Sequence, residues 1–140
     1  MASKGGRPTQ YRVFFSYSSR DRWIAQQCVS LIEGAGRRVI HAFLDEKDID
    51  GGDPISETIL KGIRQSDELV VLLSPSSKES KWVIAEMAMA FALRKRVVPI
   101  LHHVEPKELP PINYPYKAIE LNDFEQYLEQ VLKRARAKQG

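Results

Sequence analysis

Glu86 is the most unusual residue in this 140-residue sequence. It stands alone in the stretch WVIAEMAMAFAL, with no other charged side chain between Lys81 and Arg94. Apolar residues throughout the stretch make it a helix, so Trp82, four positions earlier, lies on the same face about one turn away. An indole then forms a wall beside a carboxylate. In a partly dry site such a carboxylate strongly stabilises the positive charge that grows on a sugar as an N-glycosidic bond breaks, and it can equally bind a ribose hydroxyl. A glutamate that emerges at the helix surface or pairs with an arginine has the same sequence signature, so both readings stand at this point.

Other residues of chemical type are less specific. Phe14 to Asp21 reads FFSYSSRD and offers hydroxyls and a cation after the first strand, but without glycine it is no GxGxxG cradle and no flavodoxin-like phosphate loop. Asp45, Glu46, Asp48, Asp50 and Asp53 are close together, yet their spacing misses the calcium-loop pattern and a solvated loop is expected. His102 and His103 lack the cysteine cluster or HExxH spacing of a metal centre, so no metal site is expected. Nor is there a P-loop, a GxSxG elbow or a local cysteine-protease signature, which disfavours phosphoryl and acyl transfer.

The elements that must position these residues alternate in type. YRVFFSY at 11–17 is rich in aromatic and β-branched side chains and reads as a strand. Asp21 to Glu33 has helical spacing, with Trp23, Ile24, Cys28, Leu31 and Ile32 as the apolar stripe and Gly34 and Gly36 as the stop. A strand follows at Arg38 to Leu44, and after the acidic loop Asp53 and Pro54 suit the cap and first position of a helix carrying Ile55, Ile59, Leu60 and Ile63. ELVVLLS at 68–74 is the unbroken apolar run of a strand covered on both faces. A buried helix at about Glu79 to Lys95, a strand at Val97 to His103, a proline-rich connection and a short edge strand near Ala118 come next. The last helix is expected to open on Asn122 with Glu125 completing a capping box, and to bury Phe124, Tyr127, Leu128, Val131, Leu132 and Ala135. Such alternation gives a parallel sheet with helices on both faces, whose ligand crevice lies beyond the carboxyl ends of the strands.

Length and composition set the outer bounds. A chain of this size with 43% hydrophobic residues supports one core, and its net charge of +3 is too small for a nucleic-acid footprint. The single cysteine, Cys28, fits a reducing, cytoplasmic setting. The first ten residues lack the apolar core of a signal peptide, and the longest apolar stretch is too short to cross a bilayer. No nucleic-acid or membrane partner is therefore expected.

Four segments, FFSYSSRD at 14–21, FLDEKDIDGGDPI at 43–55, LLSPSSKESKWVIAE at 72–86 and VVPI at 97–100, resemble the Toll/interleukin receptor (TIR) domain family in order and spacing. The resemblance spans residues 11–135, leaving flexible segments at 1–10 and 136–140. It implies a flavodoxin-like α/β fold with a five-stranded parallel sheet of order 2-1-3-4-5 and a mobile, self-associating gate at 45–53. Enzymatic members carry a glutamate four residues after a tryptophan on the third helix, which Glu86 and Trp82 match. The resemblance thus implies an NAD⁺ glycohydrolase of the bacterial type, with Glu86 catalytic and Phe14, Tyr17, Ser19, Leu44, Asp45 and Trp82 at the substrate. NAD⁺ is the substrate, no further cofactor is expected, and the product is ADP-ribose or a cyclised variant. Activation by self-assembly under a fused or separate sensor, in antiviral defence or cell-death signalling, completes the expectation. The alternatives are a non-catalytic TIR–TIR interaction module and a nucleoside hydrolase or deoxyribosyltransferase. A receiver domain of the same fold is disfavoured, because Ser16 and Ser74 stand where it needs acids.

Overall fold

The computed structural model describes residues 10–44, 55–77, 80–108 and 117–140. Five strands, β1 (Tyr11–Ser16), β2 (Ile40–Leu44), β3 (Glu68–Leu73), β4 (Arg96–Leu101) and β5 (Ile119–Glu120), form one parallel sheet in the order β2-β1-β3-β4-β5. Helices α1 (Arg22–Ala35) and α4 (Phe124–Gln139) cover one face, and α2 (Ile55–Arg64) and α3 (Lys81–Ala92) cover the other. Alternate side chains of each strand feed the two cores. On β1, Val13 and Phe15 enter the α1/α4 core while Phe14 enters the α2/α3 core. All six residues of β3 are buried, as its position at the centre of a doubly covered sheet requires.

Several local expectations give way to the packing. In α1 the buried stripe is Ala25, Cys28 and Ile32, whereas Trp23 is 70% exposed and Leu31 is also exposed. Trp23 precedes Ala25 by two positions and so points to nearly the opposite side of the helix. Gly34 lies inside α1, and Gly36 alone ends it: a Cβ there would stand 2.3 Å from Ile40 Cδ1, so only glycine lets the chain turn back so closely into β2. Arg38 takes φ 72° in that turn, which delays β2 to Ile40. His103, with φ 59°, likewise ends β4 earlier than the sequence reading.

The helix α3 is half covered rather than buried, since Val83, Glu86, Met87 and Ala90 face the sheet while Phe91 is 52% exposed. No capping box opens α4. A 3-10 turn at Leu121–Asp123 absorbs Asn122, and Asp123 at the cap makes no side-chain bond to the helix. The short β5 leaves the chain so near α4 that this tight turn replaces a cap. At its other end α4 continues to Gln139, so 136–139 are helical rather than a flexible tail. Lys138 secures that end through Asp67 Oδ2 at 2.9 Å and the Gln10 carbonyl at 3.2 Å. The expected cap at Asp53 and Pro54, the hinge glycines Gly51 and Gly52, and the N-terminal segment up to Thr9 lie outside the described residues.

Two positions show how tightly the layers fit. The Cys28 thiol is pushed up to about 12 by burial and stays a neutral core group at ordinary pH. At Gly62 in α2 a Cβ would come within 2.7 Å of Phe14 Cε2, the ring edge of a buried side chain. Gly62→Ala gains helix propensity but overpacks this contact, and a net loss of about 1 kcal/mol is expected, read as a lower Tm. An unchanged or raised Tm would show that Phe14 has slack.

Candidate active site at the end of the first strand

The switch in strand order lies at β1, whose chain neighbours β2 and β3 flank it on opposite sides. Ser16 is the last residue of β1 and pairs in register with Val71 of β3, so its side chain stands at the carboxyl end of the sheet where the crevice of such folds opens. Glu86 reaches this point from α3. It belongs to the helix face formed with Val83, Met87 and Ala90, and its position within that stripe turns it toward the sheet. Ser16 Oγ donates to Glu86 Oε1 at 2.6 Å, and the two residues are 0% and 1% exposed. The reading of Glu86 as a surface glutamate is therefore excluded.

The start of α3 is held in place by serine chemistry. Ser80 caps the helix, accepting from the Val83 N–H at 3.3 Å. Before it, Ser77 Oγ donates to the Leu72 carbonyl at 2.7 Å and accepts from the Ser74 N–H at 2.7 Å. Ser74 Oγ donates to Asp21 Oδ2 at 2.5 Å, which ties the end of β3 to the turn after β1. The LLSPSS segment and the SSRD segment thus form two walls joined by a hydrogen bond, a firm support for a side chain that must be held accurately.

The expected site residues divide between the two layers. Phe14 is buried in the α2/α3 core and Trp82 is half-buried at its margin, while Glu86 is buried on the sheet-facing stripe of α3 with Val83, Met87 and Ala90. Phe43 of β2 joins them, its ring edge-to-face with Phe14 at 5.2 Å and under the Arg12 guanidinium at 5.5 Å. Tyr17 and Leu44 do not join this group. Tyr17 is buried in the α1/α4 core and Leu44 packs against that same core, because Tyr17 is an odd number of residues from both Phe14 and Ser16 and alternation sends it to the other face. Ser19 is exposed at the start of a 3-10 turn, and Asp45 lies outside the described residues. Sequence reasoning missed Ser16 as the partner of Glu86 and Phe43 as an aromatic neighbour. Strand parity would have found both, since residues of β1 two apart share a face and Phe14 pairs with Phe43 in register.

Among the described residues no group of three or more His, Cys, Asp or Glu side chains could hold a metal ion, and no helix is long and apolar enough to cross a membrane. The sequence matches the TIR domain family over residues 13–133. It is 32% identical over 111 residues to a probable 2' cyclic ADP-D-ribose synthase of Brachypodium distachyon, covering 78% of this chain and 48% of that protein. A probable 2' cyclic ADP-D-ribose synthase of Methanobrevibacter olleyae is 30% identical over 104 residues, covering 71% of this chain and 30% of that protein. The chain thus spans about half or less of the length of these curated relatives. In fold it resembles the TIR domain of the Toll-related receptor TRR-2 of Hydra magnipapillata, with a TM-score of 0.70 at 22% identity, over 91% of this chain and 99% of that one. The flavodoxin-like sheet, its strand order and the sequence match agree, and the chain belongs to the TIR domain family.

Proposed function

We propose that this domain is an NAD⁺ glycohydrolase in which Glu86 is the catalytic carboxylate. The observation that carries the reading is the burial of Glu86 at the strand switch point, hydrogen-bonded to Ser16 on a helix stripe that is otherwise apolar. Two relatives are named as probable 2' cyclic ADP-D-ribose synthases, and this supports the same bond as the target here.

The chemistry follows from charge. As the bond between ribose C1' and the nicotinamide nitrogen breaks, its electron pair leaves with nicotinamide, whose ring becomes neutral, and positive charge passes to the ribose. A carboxylate in a site of low dielectric lowers the energy of that charge far more than one in water. Water then adds at C1' and loses a proton to give ADP-ribose, or a hydroxyl of the same molecule does so and closes a cyclic ADP-ribose. Trp82 provides a face for an aromatic ring at the margin of the site. NAD⁺ is substrate, and the chemistry needs no additional cofactor. The neutral, buried thiol of Cys28 suits a cytoplasmic setting.

Self-association is the regulatory part of the proposal. The segment 45–53 carries Asp45, Glu46, Asp48, Asp50 and Asp53 against Lys47 alone. At the β5 edge of the sheet, a cavity of about 650 Å³ is bordered by Arg94, Lys95, Arg96 and Lys117, together with Glu120 and Asp123. The acidic segment of one copy is complementary to the basic cavity of another, and a contact between two different surfaces propagates a chain of subunits unless the rotation closes a ring. A sensor domain, fused or separate, would act by raising the local concentration of these surfaces.

The decisive experiment incubates the protein with NAD⁺ over a dilution series at low and high salt and separates the products by chromatography. Nicotinamide should appear together with ADP-ribose or its cyclic form. Specific activity should rise with protein concentration and fall as salt screens the charged contact over a length of about 10 Å at 0.1 M. Absence of nicotinamide at every concentration would leave an interaction module. Cleavage of nucleosides in preference to NAD⁺ would redirect the substrate assignment, and a flat specific activity would remove the assembly step.

A further inference from the structure

Ser16 is a polar residue in a place that folding alone would fill with an apolar one. Its side chain lies on the α2/α3 face of β1, two residues after Phe14, is fully buried, and sits between a sheet and a helix whose inward faces are otherwise apolar. The hydroxyl reaches Glu86 Oε1 at 2.6 Å across 70 residues of sequence. That distance is ordinary for a hydroxyl that donates to a carboxylate.

The reason to place a donor here is chemical. A buried carboxylate without enough donors takes up a proton, since desolvation disfavours its charged form and a hydrogen bond to the charged form opposes that. Once protonated, Glu86 has no charge to set against a ribose cation. We propose that Ser16 is a positioning residue for Glu86: its hydroxyl fixes the rotamer of the carboxylate at the end of β1 and keeps it in the charged form that glycosidic cleavage requires. The inference rests on the reading of Glu86 as the catalytic carboxylate.

The buried side chains that α2, α3, β1 and β3 contribute around this face include Phe14, Ile59, Ile63, Leu73, Val83 and Met87, none of which titrates. The other buried carboxylate among the described residues, Glu68, begins β3 at the opposite end and is bound to Tyr11, Tyr127 and Arg134. Asp21, in the turn after β1, accepts from Ser74. The cations of α2 and of the first turn of α3, namely Lys61, Arg64 and Lys81, are exposed, and His102 beyond β4 is half-buried.

The test separates this role from mere packing. In ¹³C-carboxyl-labelled protein the Glu86 signal, assigned by its loss in Glu86→Gln, is titrated in the wild type and in Ser16→Ala. Its protonation midpoint should rise by about one to two units in Ser16→Ala, the displacement that loss of one hydrogen bond to a charged group produces. With NAD⁺, kcat of Ser16→Ala should fall about tenfold to hundredfold while KM moves less than about threefold, and the acid limb of the kcat profile should shift up with the midpoint. Ser16→Thr, which keeps the hydroxyl, should restore the limb. Thermal unfolding checks the fold of each variant, and if Ser16→Ala does not fold, Ser16→Cys, a weaker donor of similar size, undergoes the same titration. An unmoved midpoint and an unmoved acid limb would overturn the role of Ser16. Wild-type protein inert toward NAD⁺ would instead sink the catalytic reading, and the titration would still decide what Ser16 does to Glu86.

Discussion

Glu86→Gln is expected to lower the turnover of NAD⁺ by about a hundred- to a thousandfold, the loss seen when one preorganised electrostatic group is removed from a dry active site. The substitution isolates charge from shape. Glutamine has nearly the same volume, and its Oε1 still accepts from Ser16, so the contact at 2.6 Å persists in kind. What disappears is the negative charge that the proposed mechanism sets against the ribose cation. Stability should move the opposite way. A carboxylate at 1% exposure carries a desolvation cost that a neutral amide largely avoids, so the variant should melt at the same temperature as the wild type or higher. Turnover assays on protein of verified Tm check both halves. Activity retained within a few-fold would remove Glu86 from the chemistry, and a large fall in Tm would assign it a structural duty instead.

The largest effect on stability is expected at the other end of β3. Glu68 is fully buried and accepts four hydrogen bonds, from Tyr11 Oη at 2.6 Å, Tyr127 Oη at 2.5 Å, Arg134 Nε at 2.8 Å and Arg134 Nη2 at 3.1 Å. Through this one carboxylate the centre of the sheet holds β1 and α4 together. Arg134→Met leaves the charge of Glu68 buried without its cation, and breaking a buried pair from one side costs about 3–5 kcal/mol. That is a large share of the ~5–15 kcal/mol by which domains of this size are stable, and urea unfolding should show it as a marked drop in midpoint. A loss below about 1 kcal/mol would mean that the two tyrosines suffice.

The same network sets an alkaline limit. Burial first, and then the charge and hydrogen bond of Glu68, raise both Tyr11 and Tyr127 above the usual phenol range. In the unfolded chain the phenols ionise near 10, while in the folded protein they remain protonated. The stability they contribute is therefore complete below about pH 10, and it drains away as pH rises from there toward the higher folded values. Unfolding free energy measured from pH 8 to 12 should fall above pH 10, and Tyr11→Phe should flatten that fall.

The contrast between these two carboxylates shows what was legible in the sequence. The parallel sheet, its order and the two helical layers follow from strongly patterned segments such as YRVFFSY and ELVVLLS, whose type is set by local chemistry. Glu86 was also visible, as a charge with no business in WVIAEMAMAFAL. Glu68 was not, because an acid at the start of an apolar run looks like a strand end, and its partners stand 57 to 66 residues away in sequence. Ser16 escaped for the same reason, a donor 70 residues from its acceptor. Tyr17 and Leu44 had motif neighbours at the site but the wrong parity for it. Hydrophobicity alone places Trp23 in the interior, and only the choice of Ala25, Cys28 and Ile32 as the packed stripe shows that it faces solvent.

The bond from Lys138 to the Gln10 carbonyl has a mechanical consequence. Because β1 begins and α4 ends at one pole of the molecule, this bond clamps the first strand to the last helix a full strand length away from Ser16 and Glu86. Strain applied at that clamp reaches the crevice only along the length of β1, so the two ends of the sheet are mechanically separate.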